Sequence, residues 1–439
     1  MEMHSALALI RFGLGRRADE TPPADPQTWL TEQLSGPGAA YADGLPGVSE
    51  ALDAMRDRAL MRKLAGAKLD PKDDPVAIMV HQEAIAASTR WITAEDSFRE
   101  RLVLFWANHF TVSRRQGGCA PLIGPFVREA IAANLQGNFA TMLLAVMRHP
   151  AMLIYLNNDA SCGPDSLVGQ RLDKGLNENL GRECLELHTV SPAAGYSQAD
   201  VTAMASILTG WSVKRLDPGA GFFFRRGAHE PGSKILMGRE FPEGEQGGIE
   251  ALDFLGHHPA TATHIATKLA RHFVSDDPSP AVVQRLAARF METGGSLPEV
   301  TRTLIESPEA WPAGRQGLVK LRTPIDFVCA TLRAVDAPPE KLAILPGAMN
   351  LLGQPLWTAP SPKGWSDRAS DWSDPALLLR RVEFAYQVSA FAGDQDIAAL
   401  TDVALGPYIT APVRAAVANA GSRREAVALL FSAPEFWRR

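Results

Sequence analysis

The chain has 439 residues, 46% of them hydrophobic and 21% charged, the balance of a globular protein with a large core rather than a disordered one. A net charge of −5, with aromatics at 7% and not interleaved with basic runs, excludes a general nucleic-acid or anionic-membrane binder. The four cysteines, Cys119, Cys162, Cys184 and Cys329, lack C-x-x-C spacing, which excludes a cysteine zinc site and a disulfide framework.

No segment reaches about 18 uninterrupted apolar residues, so no membrane span is expected. The first residues have a short apolar core followed, not preceded, by Arg11, Arg16 and Arg17. That is not a signal peptide, and a cytoplasmic protein is expected.

In chain order, residues 5–12 read as a short helix ended near Gly13 and Gly15. Asp25 and Pro26 supply an N-cap and a first-turn proline for a helix to Leu34, and Gly36-Pro37-Gly38 is a loop. Helices follow over 46–63, 75–92 and 95–110. Residues 102–110 are apolar nearly all round, which predicts burial, with His109, Asn108 and the preceding Arg101 as polar exceptions. A buried arginine without a partner is costly, so carboxylates must reach Arg101 from elsewhere in the chain. The Glu183/Glu186 face of residues 177–189 is the best supplier, and the two helices are expected to pack with Arg101 and Asn108 facing those glutamates.

Residues 111–125 form a glycine- and proline-containing loop, followed by helices over 126–133 and 138–147. The polar stretch 156–176 is a long loop of the kind that is often functional, but it lacks EF-hand spacing. It leads into Asn177-Glu178-Asn179-Leu180-Gly181-Arg182-Glu183-Cys184-Leu185-Glu186-Leu187-His188-Thr189. On a helix at about 100° per residue, Glu178, Asn179, Arg182, Glu183 and Glu186 share one face. Leu180, Gly181, Cys184 and Leu187 share the other, with His188 beside them.

Ser197 and Asp200 form a capping-box start for a helix through Thr209, whose small residues predict the close approach of another helix. Residues 222–226 and 235–237 are the convincing strands, joined by a hairpin-like turn that carries His229. Helices resume over 249–255, 260–274, 281–290, 297–305 and 324–335. A second long loop, 355–375, holds Trp357, Trp365 and Trp372. Helices over 376–392, 397–405, 412–420 and 423–431 close the chain. There is no fixed repeat, no βαβ alternation and no nucleotide-binding glycine motif. The expected fold is all-α (mainly α), a multi-helix globular fold with one small β-hairpin near 222–238. It forms a single helical domain over 1–439, with the part from about 320 as a loosely separate C-terminal unit.

Phe105-Trp106-Ala107-Asn108-His109-Phe110, the 177–189 motif, and Gly195-Tyr196-Ser197-Gln198-Ala199-Asp200-Val201 together resemble the bacterial family catalogued as domain of unknown function 1800. Leu208-Thr209-Gly210-Trp211, His258-Pro259-Ala260-Thr261-Ala262, Gly353-Gln354-Pro355-Leu356 and Pro360-Ser361-Pro362-Lys363-Gly364-Trp365 extend the resemblance in order over nearly the whole chain. This chain carries Ala107 where the family usually has a histidine before Asn-His. The resemblance implies a largely helical fold and no settled activity; many relatives look exported.

The catalytic candidates are Glu183, Glu186, His188, His109 and Arg182. A glutamate beside arginine stays ionised, while one against apolar surface gains a raised pKa, which together make an acid–base pair. The substrate-binding candidates are Asn108, Asn177, Asn179, His229, Trp211 and Trp365. H-E-x-x-H and G-x-S-x-G are absent. On a continuing helix Glu186 and His188 point about 160° apart, so no cofactor is named and a divalent metal is the option left open. His149 and His272 read as structural.

The 177–188 helix, Asn108-His109 and the His229 turn are expected to converge on one cavity, with the 355–375 loop as its lid and stacking surface. The first functional reading is a hydrolase-like enzyme acting on a polar carbohydrate or peptide, with a small polar ligand or polymer as partner. The alternative is a non-catalytic binding or assembly protein whose charged cluster is a structural ion-pair network. Oligomeric state is not legible.

Overall fold

Helices start where the chain supplies a cap. The carboxylates of Asp25 and Asp74, each followed by proline, accept backbone N–H groups at the starts of helices Pro26–Ser35 and Pro75–Thr93. Asn138 caps Phe139–Arg148, Ser197 and Asp200 form a reciprocal box at Gln198–Ile207, and Thr323 and Asp326 do the same at Pro324–Ala334. The structure is a computed structural model that describes residues 2–36, 44–66, 68–116, 118–215 and 220–439, with backbone alone at 315 and 316. The loop expected over 36–38 lies outside the described residues except for Gly36, as does Gly117 of the 111–125 loop.

Helix accounts for 63% of the chain, so the mainly α expectation holds. The described strands form two antiparallel pairs, Trp211–Lys214 with Gly221–Phe224 and Lys234–Leu236 with Arg239–Phe241. The strands expected at 222–226 and 235–237 are both present, but each pairs with a close neighbour and not with the other. The reason is local for the second: Met237 and Gly238 have φ of 47° and 80°, the twist of a two-residue hairpin turn.

Two apolar cores result. The larger gathers Phe12, Phe98, Trp106, Phe110, Phe139, Leu185, Trp211 and Phe273 among many others between Ala8 and Ala310. The second is built on helices Pro324–Ala334, Pro375–Val388 and Arg423–Ser432, and it includes Leu7, Ile10 and Leu14 from the start of the chain with Trp91 and Ile92. Trp311 and Trp357 pack against both cores. Helix Ser97–His109 contributes Phe98, Phe105 and Trp106 to the larger core, while its Leu104 packs against the second.

Candidate functional site

The 177–188 segment is not one regular helix. Asn179–Glu183 is α-helical and Cys184–His188 continues as a single π-turn. The wider turn brings Leu185 and His188 to the buried side with Leu180, Gly181 and Cys184, while Leu187 is left half-buried, which corrects the expected faces. Gly181 is required by packing: a Cβ there would lie 2.6 Å from the Ala205 nitrogen, so helices Asn179–Glu183 and Gln198–Ile207 meet backbone to backbone.

The charged face of this segment is a surface network. Arg182 donates to Glu178 at 2.7 Å, with side chains 39% and 31% exposed. Glu178 also accepts from Gln198 and Thr202, tying the two helices together. Glu183 is half-buried beside Glu186, and burial, then the neighbouring charge of Glu186, pushes its pKa up. Asn179 is exposed, and Asn177 is a strut: its Nδ2 donates to the carbonyls of Leu156 and Asn157, and its Oδ1 accepts from the Asn179 N–H at 2.9 Å.

The histidines of the motif face inward. His109 Nε2 donates to the His188 carbonyl at 3.2 Å, and His264 Nε2 donates to the Leu187 carbonyl at 3.0 Å. The imidazoles thus satisfy carbonyls at the end of the π-turn that have no intrahelical partner. Burial depresses all three, His109 well below its usual value, His188 to about 3 and His264 to about 4. His109 and His264 thus donate as neutral imidazoles at ordinary pH, while neither ring nitrogen of His188 has a hydrogen-bond partner among the described residues.

Arg101 and Asn108, expected to face Glu183 and Glu186, turn the other way. Arg101 Nη1 donates to Asp326 Oδ1 at 2.7 Å and its Nε to the Gly13 carbonyl at 2.7 Å. Asn108 clasps one residue of the tryptophan loop from both sides, donating to the Trp365 carbonyl at 2.8 Å and accepting the Trp365 N–H at 2.8 Å. Gly364, with φ of 81°, makes this possible, because a Cβ there would lie 2.4 Å from the Asn108 carbonyl oxygen. His109 and Asn108, about 100° apart on the helix, therefore serve opposite sides of it.

On the Asn108 side lies a cavity of about 550 Å³. One wall is helix Pro75–Thr93, another is the Leu104, Ala107 and Asn108 face of Ser97–His109, and Trp357 and Trp365 line it from the tryptophan loop. Trp372, buried, props Trp365 with ring centroids 5.8 Å apart. Trp357 holds a positive φ of 56° while its carbonyl accepts the Arg114 N–H at 2.8 Å. Such non-glycine strain persists only where surrounding contacts impose it, as at ligand clamps. The loop expected as a lid over the glutamate face instead lines this cavity, to which neither Glu183, Glu186 nor His229 contributes.

Most of the lining is aliphatic and aromatic; its polar end is charged. There Asp367 Oδ1 accepts from His272 Nδ1 at 2.7 Å, and both residues line the cavity. His272 Nε2 is buried and has no hydrogen-bond partner among the described residues. Burial lowers the His272 pKa to about 4 against the opposing pull of Asp367. Burial would raise Asp367, but His272 and Lys320 outweigh it and hold the carboxyl at about 2. Lys320 also donates to the Asp367 carbonyl and to Asp276. Asp326 accepts from Arg101 and, at 2.8 Å, from Arg439; burial opposes ionisation there, yet the two guanidiniums hold the carboxyl well below its usual range.

Of the expected site residues, Asn108 and Trp365 meet at this cavity. Arg182, Glu183, Glu186 and Asn179 lie on or near the surface of their segment, and His109 and His188 are buried beneath it. His229 is buried with both nitrogens engaged: Nδ1 donates to the Thr209 carbonyl at 2.8 Å and Nε2 accepts the Gly244 N–H at 2.9 Å. Trp211 is fully buried against Phe222. The expected convergence of all these groups on one cavity does not occur. His272 was read as structural and Asp367 was not singled out, since a pair separated by 95 residues leaves no spacing signal. Among the described residues no group of three or more His, Cys, Asp or Glu side chains is placed to hold a metal ion. No described helix is long and apolar enough to cross a membrane.

Fold and site together define a mainly α-helical protein with a mostly apolar cavity lined by the tryptophan loop. It has one group of ionisable side chains, Arg101, His272, Asp326 and Asp367, and further charged side chains at Glu83, Arg90 and Arg128. The chain belongs to the family described as Protein of unknown function (DUF1800), whose family model matches residues 7–438. No curated protein and no solved structure matches it.

Proposed function

We propose that the cavity between helices Pro75–Thr93 and Ser97–His109 and the tryptophan loop is the functional site. In this reading it takes a small molecule with an apolar body and acts on it by hydrolase-like acid–base chemistry at His272. One observation carries the reading: His272 Nε2 is buried without a partner among the described residues, in a cavity-lining residue whose Nδ1 is fixed by Asp367. A hydrogen bond from Nδ1–H to a carboxylate sets the tautomer that leaves the Nε2 lone pair free. A water on Nε2 would give up a proton to it as the water oxygen attacks a carbonyl carbon. The imidazolium, steadied by Asp367, would return that proton to the leaving oxygen. The apolar lining supports a ligand less polar than the carbohydrate or peptide first expected. The Glu178–Arg182 cluster is read as a structural surface network.

The test is hydrolysis of p-nitrophenyl esters of increasing acyl length. Rates should rise from acetate to octanoate as the chain fills the cavity, and Ala107→Phe, which fills it from the helix, should abolish the rise while preserving the thermal melt. Rates indifferent to acyl length, or to Ala107→Phe, would contradict the reading.

A further inference from the structure

The polar end of the cavity holds more buried cation than it can pair. Around the carboxylate of Asp326 stand the guanidiniums of Arg101, Arg322, Arg381 and Arg439, none more than 2% exposed. Among the described side chains only two of them reach a carboxylate, Arg101 and Arg439, and both reach the same one. Arg322 donates to the Phe436 carbonyl and lies over its ring, while Arg381 donates to the Arg322 carbonyl. Lys320 adds a fifth cation. Among the described side chains, the carboxylates that pair with these groups are Asp326, Asp276 on Lys320, and Asp367 on a neutral His272.

The surplus shows as missing hydrogen bonds. Arg439 Nη2 and Arg381 Nη1 are buried without partners among the described residues. Arg101, the one of these arginines that lines the cavity, uses Nε on Gly13 and Nη1 on Asp326; among the described residues its Nη2 has no partner. A buried cation with unpaired N–H groups is stable only when a counter-charge comes from elsewhere. Guanidinium favours carboxylate there, because its planar fork matches two oxygens. Asp326 and Asp367 also face this end and would repel an anion, but Asp326 has an arginine on each of its two oxygens and Asp367 has His272 on one of its own.

Resting on the reading of the cavity as the functional site, we infer that its ligand is an amphiphilic carboxylate. The apolar body lies between the helices and the tryptophan loop, and the carboxylate takes the open edge of Arg101. His272 Nε2 stays available for a donor or water next to the head group.

Calorimetric titration of the intact protein with octanoate, nonan-2-one and octan-1-ol tests this. Octanoate should bind at least ten-fold tighter than the other two, which share its chain and lack its charge. Arg101→Met should remove that advantage and leave octan-1-ol binding unchanged; if this variant does not fold, the comparison of the three probes on the native protein still decides. Octan-1-ol or nonan-2-one binding as tightly as octanoate would overturn the carboxylate inference while leaving the cavity reading intact. Failure of all three to bind, or octanoate binding undisturbed by Ala107→Phe, would overturn both.

Discussion

Asp367 accepts a hydrogen bond from His272 across 95 residues of sequence, at 2.7 Å, and this contact joins the tryptophan loop to helix Pro259–Phe273. It fixes which nitrogen of His272 carries the proton and leaves the other without a partner among the described residues. A loop residue thereby orients a helix residue in the cavity that the same loop lines.

The Arg182 network is superficial. Arg182→Ala should lower stability by less than about 1 kcal/mol, as for other exposed pairs. Urea denaturation measures this; a loss of several kcal/mol would mean that the cluster is a buried site after all.

Asp326 serves two arginines and, through its exchange with Thr323, the start of helix Pro324–Ala334. Breaking a buried pair typically costs roughly 3–5 kcal/mol. Asp326→Asn should therefore destabilise more than Arg101→Met, which leaves Asp326 its Arg439 partner. Equal losses in denaturant titrations would show that Arg439 contributes little.

Asn108 is the latch of the tryptophan loop. Asn108→Ala removes two hydrogen bonds to Trp365, worth roughly 1–3 kcal/mol together. Hydrogen exchange should speed up at the Trp365 amide and its neighbours and stay unchanged at Ala205. A Trp365 amide exchanging at the native rate would refute the latch.

Five histidines should make the fold acid-labile. Burial depresses His149 and His188 to about 3, His264 and His272 to about 4, and His109 well below its usual value. The unfolded chain takes up these protons below about pH 6.5, and the folded chain does not. Stability should therefore be full above that pH and fall as pH drops toward 4, by up to about 1.4 kcal/mol per group per pH unit. The depressed carboxyls of Asp326 and Asp367 add a second loss below about pH 4. Melting temperatures flat from pH 7 to 4.5 would contradict the neutral buried histidines.

What the sequence made legible was local. Asp25-Pro26, Ser197 with Asp200 and the small residues of 201–209 act within a turn or on one helix face, and the structure uses them as expected. The 177–189 motif misled because its faces were assigned at the α-helical period, whereas the π-turn at Cys184–His188 resets them. Asn108 was legible as a polar exception on a buried helix, but its partner is the backbone of a residue 257 positions away, and backbone leaves no mark in side-chain pattern. The carboxylate that Arg101 requires was inferable; that it is Asp326, 225 residues on, was not.

The most direct measurement compares His272→Gln with Glu183→Gln on one ester, p-nitrophenyl octanoate. If the cavity is the site, His272→Gln loses on the order of 10²–10⁴-fold in kcat/KM, the range of a general acid–base group, and Glu183→Gln is unchanged. Loss in Glu183→Gln with full activity in His272→Gln would return the chemistry to the glutamate face and contradict the account.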